Sequence, residues 1–198
     1  MGASRGRPRE FETDAALDAA MLVFWEHGYE ATGVAQLCGA MGIAKQSMYD
    51  WVGDKRGLYL MAIERYYQKY LCGLSDMLKL EGSPLGNLRH CLGAMAEYAK
   101  QPKCHGCLVT NAQSEFGTTD EELARVTARI EAFIVEAFRD VLERAQRAGE
   151  ISAGVDCRAM ASALAVVRNG MMVAGRAGQS HESIDQTIAM VESMLKSG

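Results

Sequence analysis

Long apolar runs are missing from this 198-residue chain: no stretch approaches the roughly 20 residues needed to cross a bilayer. The opening segment MGASRGRPREFETD lacks the apolar core of a secretion signal. A cytoplasmic protein with no membrane partner is therefore expected. Also missing are a phosphate-binding loop, a nucleophile elbow and a paired His/Glu metal helix, so nothing points to an enzyme, and neither a cofactor nor a resident metal is expected. Strand-like alternation is absent too, which leaves an all-α fold.

Cysteine is present, but not in a framework. Six residues, at 38, 72, 91, 104, 107 and 157, in a chain without a secretion signal argue against disulfides. Cys38, Cys72, Cys91 and Cys157 fall in helical patterns and read as small core residues. Cys104-His-Gly-Cys107 differs, because C-x-x-C entering a helix has the spacing of a redox pair or half a metal site, and a helix N-terminus favours the thiolate. No second pair follows at zinc-site spacing, and His90 and Cys91 lie some 13 residues earlier. Three readings stay open, in this order: packed cysteines, a thiol-based redox or electrophile sensor using Cys104 and Cys107, and a metal sensor. A CxxC thiol oxidoreductase would need strands around the motif.

What is present is helix. The chain is 48% hydrophobic, enough for a full core in one domain or in a small domain fused to a larger one. A first helix from Thr13 to about His27 carries Leu17, Ala20, Met21 and Phe24 on one face and stops at Gly28. In ATGVAQLCGAMGIAKQSMYDWVGDKR, Ala31–Arg56, residues Val34, Leu37, Cys38 and Met41 place one apolar stripe on a short helix with Thr32 as its N-cap. Gly42 breaks it. A second short helix, Ala44 to Trp51, exposes Lys45, Gln46, Ser47 and Tyr49 while Met48 and Val52 pack inward. Two short helices about a glycine turn, the second polar and slender enough for a major groove, make a helix-turn-helix. Tyr49, Trp51 and Lys55 suit phosphate anchoring, and Asp54 suits an N-cap of the next helix.

Net charge is −4, which is unusual for a DNA binder. Within residues 1–56, six basic residues (Arg5, Arg7, Arg9, Lys45, Lys55 and Arg56) face eight acids, but the bases cluster in the arm and around the polar helix. Modest non-specific affinity and a strongly salt-dependent specific complex are expected.

Further along, Lys55 to about Leu80 forms a long amphipathic segment with Leu58, Ala62, Tyr66 and Tyr70 on one stripe, on the order of 40 Å long. Ser83-Pro84 opens a helix whose core face is Leu85, Leu88, Leu92, Met95 and Ala99, ended by Pro102. Thr119-Asp-Glu-Glu122 is a capping box before a long helix through Leu123, Val126, Ile130, Phe133, Ala137, Val141 and Ala145. The last two helices, about Asp156 to Gly175 and Ser183 to Lys196, spread apolar residues over more than one face, as a homodimer joined by both would require.

The arm Arg5-Gly-Arg-Pro-Arg9, FWEHGYEAT and GIAKQSMYDWVGDKRGLY resemble the DNA-binding domain of the TetR family of bacterial transcriptional repressors, in particular its ComR-type branch. Two positions depart from that pattern: Ala44 stands where most members carry Ser or Thr, so a cap is missing, and Val52 stands where Phe is usual. The resemblance implies a helix-turn-helix domain over residues 1–56 and a ligand-binding and dimerisation domain over 57–198. It implies DNA contacts from Arg5, Arg7, Thr32, Ala44, Lys45, Gln46, Ser47, Tyr49, Trp51 and Lys55 to a pseudo-palindromic double-stranded operator. It also implies an effector pocket, with Tyr66, Tyr70, Met95, Tyr98, Cys107, Asn111, Glu115, Phe116, Arg168, Asn169, Met171 and Met172 as candidates; the small-molecule effector is unknown. Effector binding would swing the segment from Lys55 to Leu80 and release the operator, with a typical coupling of ~1–3 kcal/mol.

Overall fold

Helix α1 (Glu10–His27) stops where Gly28 adopts φ 82°, a backbone angle that costs glycine nothing. The structure, a computed structural model, describes residues 10–196, with side chains from 13 to 195. Arg5 and Arg7 of the basic arm lie outside the described residues. Helices α2 (Val34–Met41), α3 (Lys45–Val52) and α4 (Lys55–Tyr66) follow. Helix α1 packs on α2 and α4, and α3 is held by both of its chain neighbours. Ala20, Met21 and Phe24 of α1 share a core with Leu37, Met48, Leu58, Tyr59, Ala62 and Ile63, all buried. Each large side chain so buried contributes about 1.5–3 kcal/mol. Phe24 meets Tyr59 edge-on at 4.8 Å, and Arg65 of α4 forks onto Asp18 of α1 at 2.8 and 3.2 Å.

The α2 N-cap differs from the expectation. Gly33 occupies it with no capping side chain, while the Thr32 hydroxyl, 1% exposed, donates to the Gly28 carbonyl at 2.5 Å. Thr32 therefore ties the α1–α2 corner and does not face out, because its short side chain reaches the carbonyl freed by the end of α1. Asp54 caps as expected, accepting from Gly57 N at 2.7 Å.

The segment expected as one unbroken helix from Lys55 to Leu80 is broken by a π-turn, Tyr67–Leu71, between α4 and α5 (Cys72–Leu78). The extra residue shifts the buried stripe by one. Leu58, Ala62 and Tyr66 are followed inward by Leu71, Leu74 and Leu78, while Tyr70 stays 40% exposed. The chain parts here into two compact units, Met1–Tyr66 and Tyr67–Gly198. The division falls ten residues beyond Arg56, because the buried face of α4 packs on α1.

In the second unit, α6 (Pro84–Ala99) starts from a Ser83 cap whose hydroxyl accepts from Gly86 N at 2.9 Å. Helix α7 (Leu108–Phe116) is short, and α8 (Glu121–Arg147) is long. The cap of α8 is Asp120, accepting from Leu123 N at 3.0 Å; Thr119 turns back to donate to the Phe116 carbonyl. The cap is thus displaced by one residue, and with Leu123 at the third helical position the reciprocal half of the expected capping box is lost. Helix α8 packs against α5, α6, α7 and α9 (Cys157–Arg176), and α10 (His181–Lys196) lies on α6 and α9. Among the described residues no strand occurs, and no helix is long and apolar enough to cross a membrane.

Candidate nucleic-acid interface and buried polar cluster

Met48 is fully buried and so gives the inward direction of α3. At 100° per residue, Gln46 and Asp50 then stand about 160° away on either side, forming the outermost ridge. Lys45 and Tyr49 fall on one flank, Ser47 and Trp51 on the other. Lys45, Gln46, Ser47 and Asp50 are exposed; Tyr49 and Trp51 are half-buried, so their rings pack while their polar edges stay accessible. The exposed N-cap, Ala44, supplies no side-chain hydrogen bond, as its methyl group requires. Lys55 sets its ammonium 4.1 Å over the Tyr29 ring, and Lys45 sits 5.7 Å over Tyr49. Two cations are thus steadied beside a polar ridge. Eight of the ten residues assigned to DNA lie among the described residues; seven share this surface, and Thr32 does not.

The second unit buries a polar cluster drawn from three helices. Arg168 of α9 is 2% exposed. Its guanidinium donates to the Cys107 Sγ at 3.1 Å and to the Asn169 Oδ1 at 2.6 Å, and lies 3.9 Å from Glu131 of α8. Asn169 donates to the other Glu131 oxygen and accepts from the Thr110 hydroxyl of α7 at 3.0 Å. Glu131 Oε2 is buried without a hydrogen bond. Cys107 is the N-cap residue of α7.

The loop before α7 is pinned from several sides. The Tyr98 hydroxyl accepts from His105 N and donates to the Gly106 carbonyl, both at 3.3 Å. Asn111 and Arg176 both donate to the His105 carbonyl. Gly175 lets α9 close on the end of α6, since a Cβ there would stand 2.6 Å from the Ala99 carbonyl oxygen and 2.9 Å from the Cys104 Sγ. Burial pushes the Cys91 thiol up to about 12, although nearby Arg168 opposes it, and burial also raises Cys157. Among the described residues no group of three or more His, Cys, Asp or Glu is placed to share a metal ion.

The residues expected to line a pocket are therefore dispersed. Cys107, Arg168 and Asn169 join the cluster directly; Tyr98 and Asn111 hold its entering loop. Met171 and Met172 are buried on α9, and Met95 and Phe116 are half-buried. Glu115 and Tyr70 are exposed. Tyr66 is packed edge-on against Trp25 at 5.0 Å within the first unit. Met171 also borders a groove of about 220 Å³ between α9 and α10, with Val167, Gly170, Ile184 and Thr187. Glu131 and Thr110 were missed. The signal for Glu131 was available, since it lies one turn from Thr127 and Ile134 on the buried stripe of α8.

Comparison with known proteins bears on both parts. Residues 16–62 match the family described as bacterial regulatory proteins, tetR family, and residues 84–191 match tetracyclin repressor-like, C-terminal domain. The chain is 30% identical to the HTH-type transcriptional repressor ComR of Escherichia coli (strain K12) over 185 residues, covering 92% of this chain and 88% of that one. It is 32% identical to the transcriptional regulator AcuR of Cereibacter sphaeroides, over 80% of this chain and 76% of that one. Among solved structures, a cysteine mutant of the TetR family transcriptional regulator CifR complexed with 26bp double-strand operator DNA is similar. It has a TM-score of 0.79 and 28% identity, and the match covers 96% of this chain and 98% of that one.

Proposed function

The chain belongs to the TetR family of bacterial regulators, and we propose that it is a homodimeric repressor that leaves its operator when an effector occupies the second unit. It is a DNA-binding transcription regulator and not an enzyme. The observation that carries the operator reading is the ridge of α3 opposite buried Met48, with donors on both flanks. Recognition helices of two copies, about one helical turn of DNA apart, would read a pseudo-palindrome. Large apolar side chains left in water support the dimer: Val166 is 71% exposed on α9 and Met190 64% on α10, with Val173 and Met194 also exposed. A second copy covering both helices would bury them.

Fluorescence anisotropy on duplexes that the protein itself selects from a random library tests this reading. Tyr49→Ala should weaken binding at least about tenfold, as loss of a phosphate contact and its neighbouring cation–π pair predicts. Binding should also weaken steeply with salt. Equal affinity of Tyr49→Ala and the parent chain would overturn the assignment of α3.

A second reading of the effector is favoured by one contact, the Arg168 guanidinium donating to the Cys107 Sγ. A cation at a helix N-terminal thiol stabilises the thiolate, the nucleophilic form. On this reading an electrophile that alkylates Cys107 withdraws the sulfur from Arg168 and unsettles the cluster joining α7, α8 and α9. N-ethylmaleimide should then release the operator from the parent chain and not from Cys107→Ser. Cys107 is itself fully buried, so its alkylation requires the cluster to open; Cys91 and Cys157 should react more slowly, because burial raises both thiols. Release that survives Cys107→Ser would leave that cysteine a packing residue.

A further inference from the structure

We propose that Gln46 reads an adenine of the operator in the major groove, and that Asp50 is the positioning residue that makes Gln46 refuse guanine. The assignment rests on the operator reading above and names the base chemistry of the same surface. Gln46 Nε2 donates to Asp50 Oδ1 at 2.8 Å, one turn along the exposed ridge of α3. An ionised carboxylate only accepts, so the amide orientation follows from chemistry: nitrogen toward Asp50, oxygen away.

A glutamine amide has two N–H groups and one carbonyl oxygen. Asp50 occupies one N–H, which leaves one donor and one acceptor. That pair matches adenine, which presents N7 as acceptor and its N6 amino group as donor. Guanine presents two acceptors, N7 and O6. An unrestrained glutamine satisfies them by turning both N–H groups toward the base; Gln46 held by Asp50 cannot. Thymine offers only O4 and a methyl group, and cytosine a single donor, so neither takes both ends of the amide. The second Asp50 oxygen is a further acceptor on the same ridge and repels the guanine edge. Both side chains are exposed on the outermost ridge of α3, while Lys45, Tyr49, Ser47 and Trp51 occupy the flanks.

The full-length protein, Gln46→Ala, Asp50→Ala and Asp50→Asn are each used to enrich a random duplex library, and affinities are then measured on duplexes carrying each base at every enriched position. The parent chain should show one adenine per half-site whose replacement by guanine weakens binding roughly 5- to 150-fold, the equivalent of ~1–3 kcal/mol for a bidentate pair. Gln46→Ala should flatten that position and leave the others unchanged. Asp50→Ala removes a negative charge, which favours every duplex, and frees the Gln46 amide to turn, which favours guanine in addition, so its adenine-to-guanine ratio should fall toward one. Asp50→Asn, whose amide oxygen still accepts from Gln46, should recover most of the ratio. An Asp50→Ala ratio equal to that of the parent overturns the positioning role, and a uniform loss in Gln46→Ala across all sequences marks a phosphate contact and overturns the adenine assignment. A parent chain that enriches no sequence overturns the operator reading itself, and this assignment with it.

Discussion

Arg168→Leu is expected to destabilise the second unit by about 3 kcal/mol, the lower end of what loss of one partner of a buried ion pair costs. The lower end applies because the Glu131 side chain is 22% exposed, whereas that of Arg168 is 3% exposed. Without the guanidinium, the buried Glu131 Oε2 loses the cation 3.9 Å away, Asn169 Oδ1 loses one of two donors, and Cys107 Sγ loses its donor. For a unit of this size the midpoint should fall on the order of 10 °C, readable by calorimetry. The double variant Arg168→Leu/Glu131→Leu should recover most of the loss, because no charge is then buried without a partner and aliphatic chains fill the space. Equal melting of the single and double variants would show that the two residues are not coupled. A full recovery would also show that the pair is not needed for folding.

Gly57→Ala is the second large effect. A Cβ at Gly57 would stand 2.4 Å from the carbonyl oxygen of Val52, a backbone atom at the end of α3 that no side-chain rotation can move. Alanine ordinarily stabilises a helix by about 1 kcal/mol over glycine. Overpacking against backbone costs about 1–3 kcal/mol and wins here, so α3 must shift away from the start of α4. The first unit should melt lower, and operator affinity should fall further than stability alone explains, since the α3 ridge is displaced. Gly73→Ala is the control: nothing lies within 4 Å of the added carbon, so it should stabilise α5 by about 0.5–1 kcal/mol. A Gly57→Ala chain that binds its operator as tightly as the parent would remove the close approach from the account of how α3 is held.

Local chemistry made much of this legible in sequence. Gly28 and Gly42 end α1 and α2 in left-handed conformations, Asp54 and Ser83 cap, and Met48 faces inward on a helix otherwise polar. Each depends on residues within four of one another. The errors were of a different kind. Thr32 has the chemistry of a cap but spends its hydroxyl on Gly28; Asp120 and not Thr119 caps α8; Tyr66 has the chemistry of a pocket wall but packs on Trp25. In each case two neighbouring partners were chemically acceptable, and distance chose between them.

Taken alone, the sequence determined the all-helical class, the helix-turn-helix with its polar recognition face, and the family, because periodicity, caps and glycine corners are encoded over a few residues. Tertiary structure decided the rest. It placed Glu131 and Thr110 beside Arg168 and Cys107, from positions as many as 61 residues apart. It also inserted the π-turn that moves the buried stripe from Tyr66 to Leu71. The physical reason is that a buried charge and a register shift are both stabilised by groups remote in the chain, and no local pattern records which remote groups arrive.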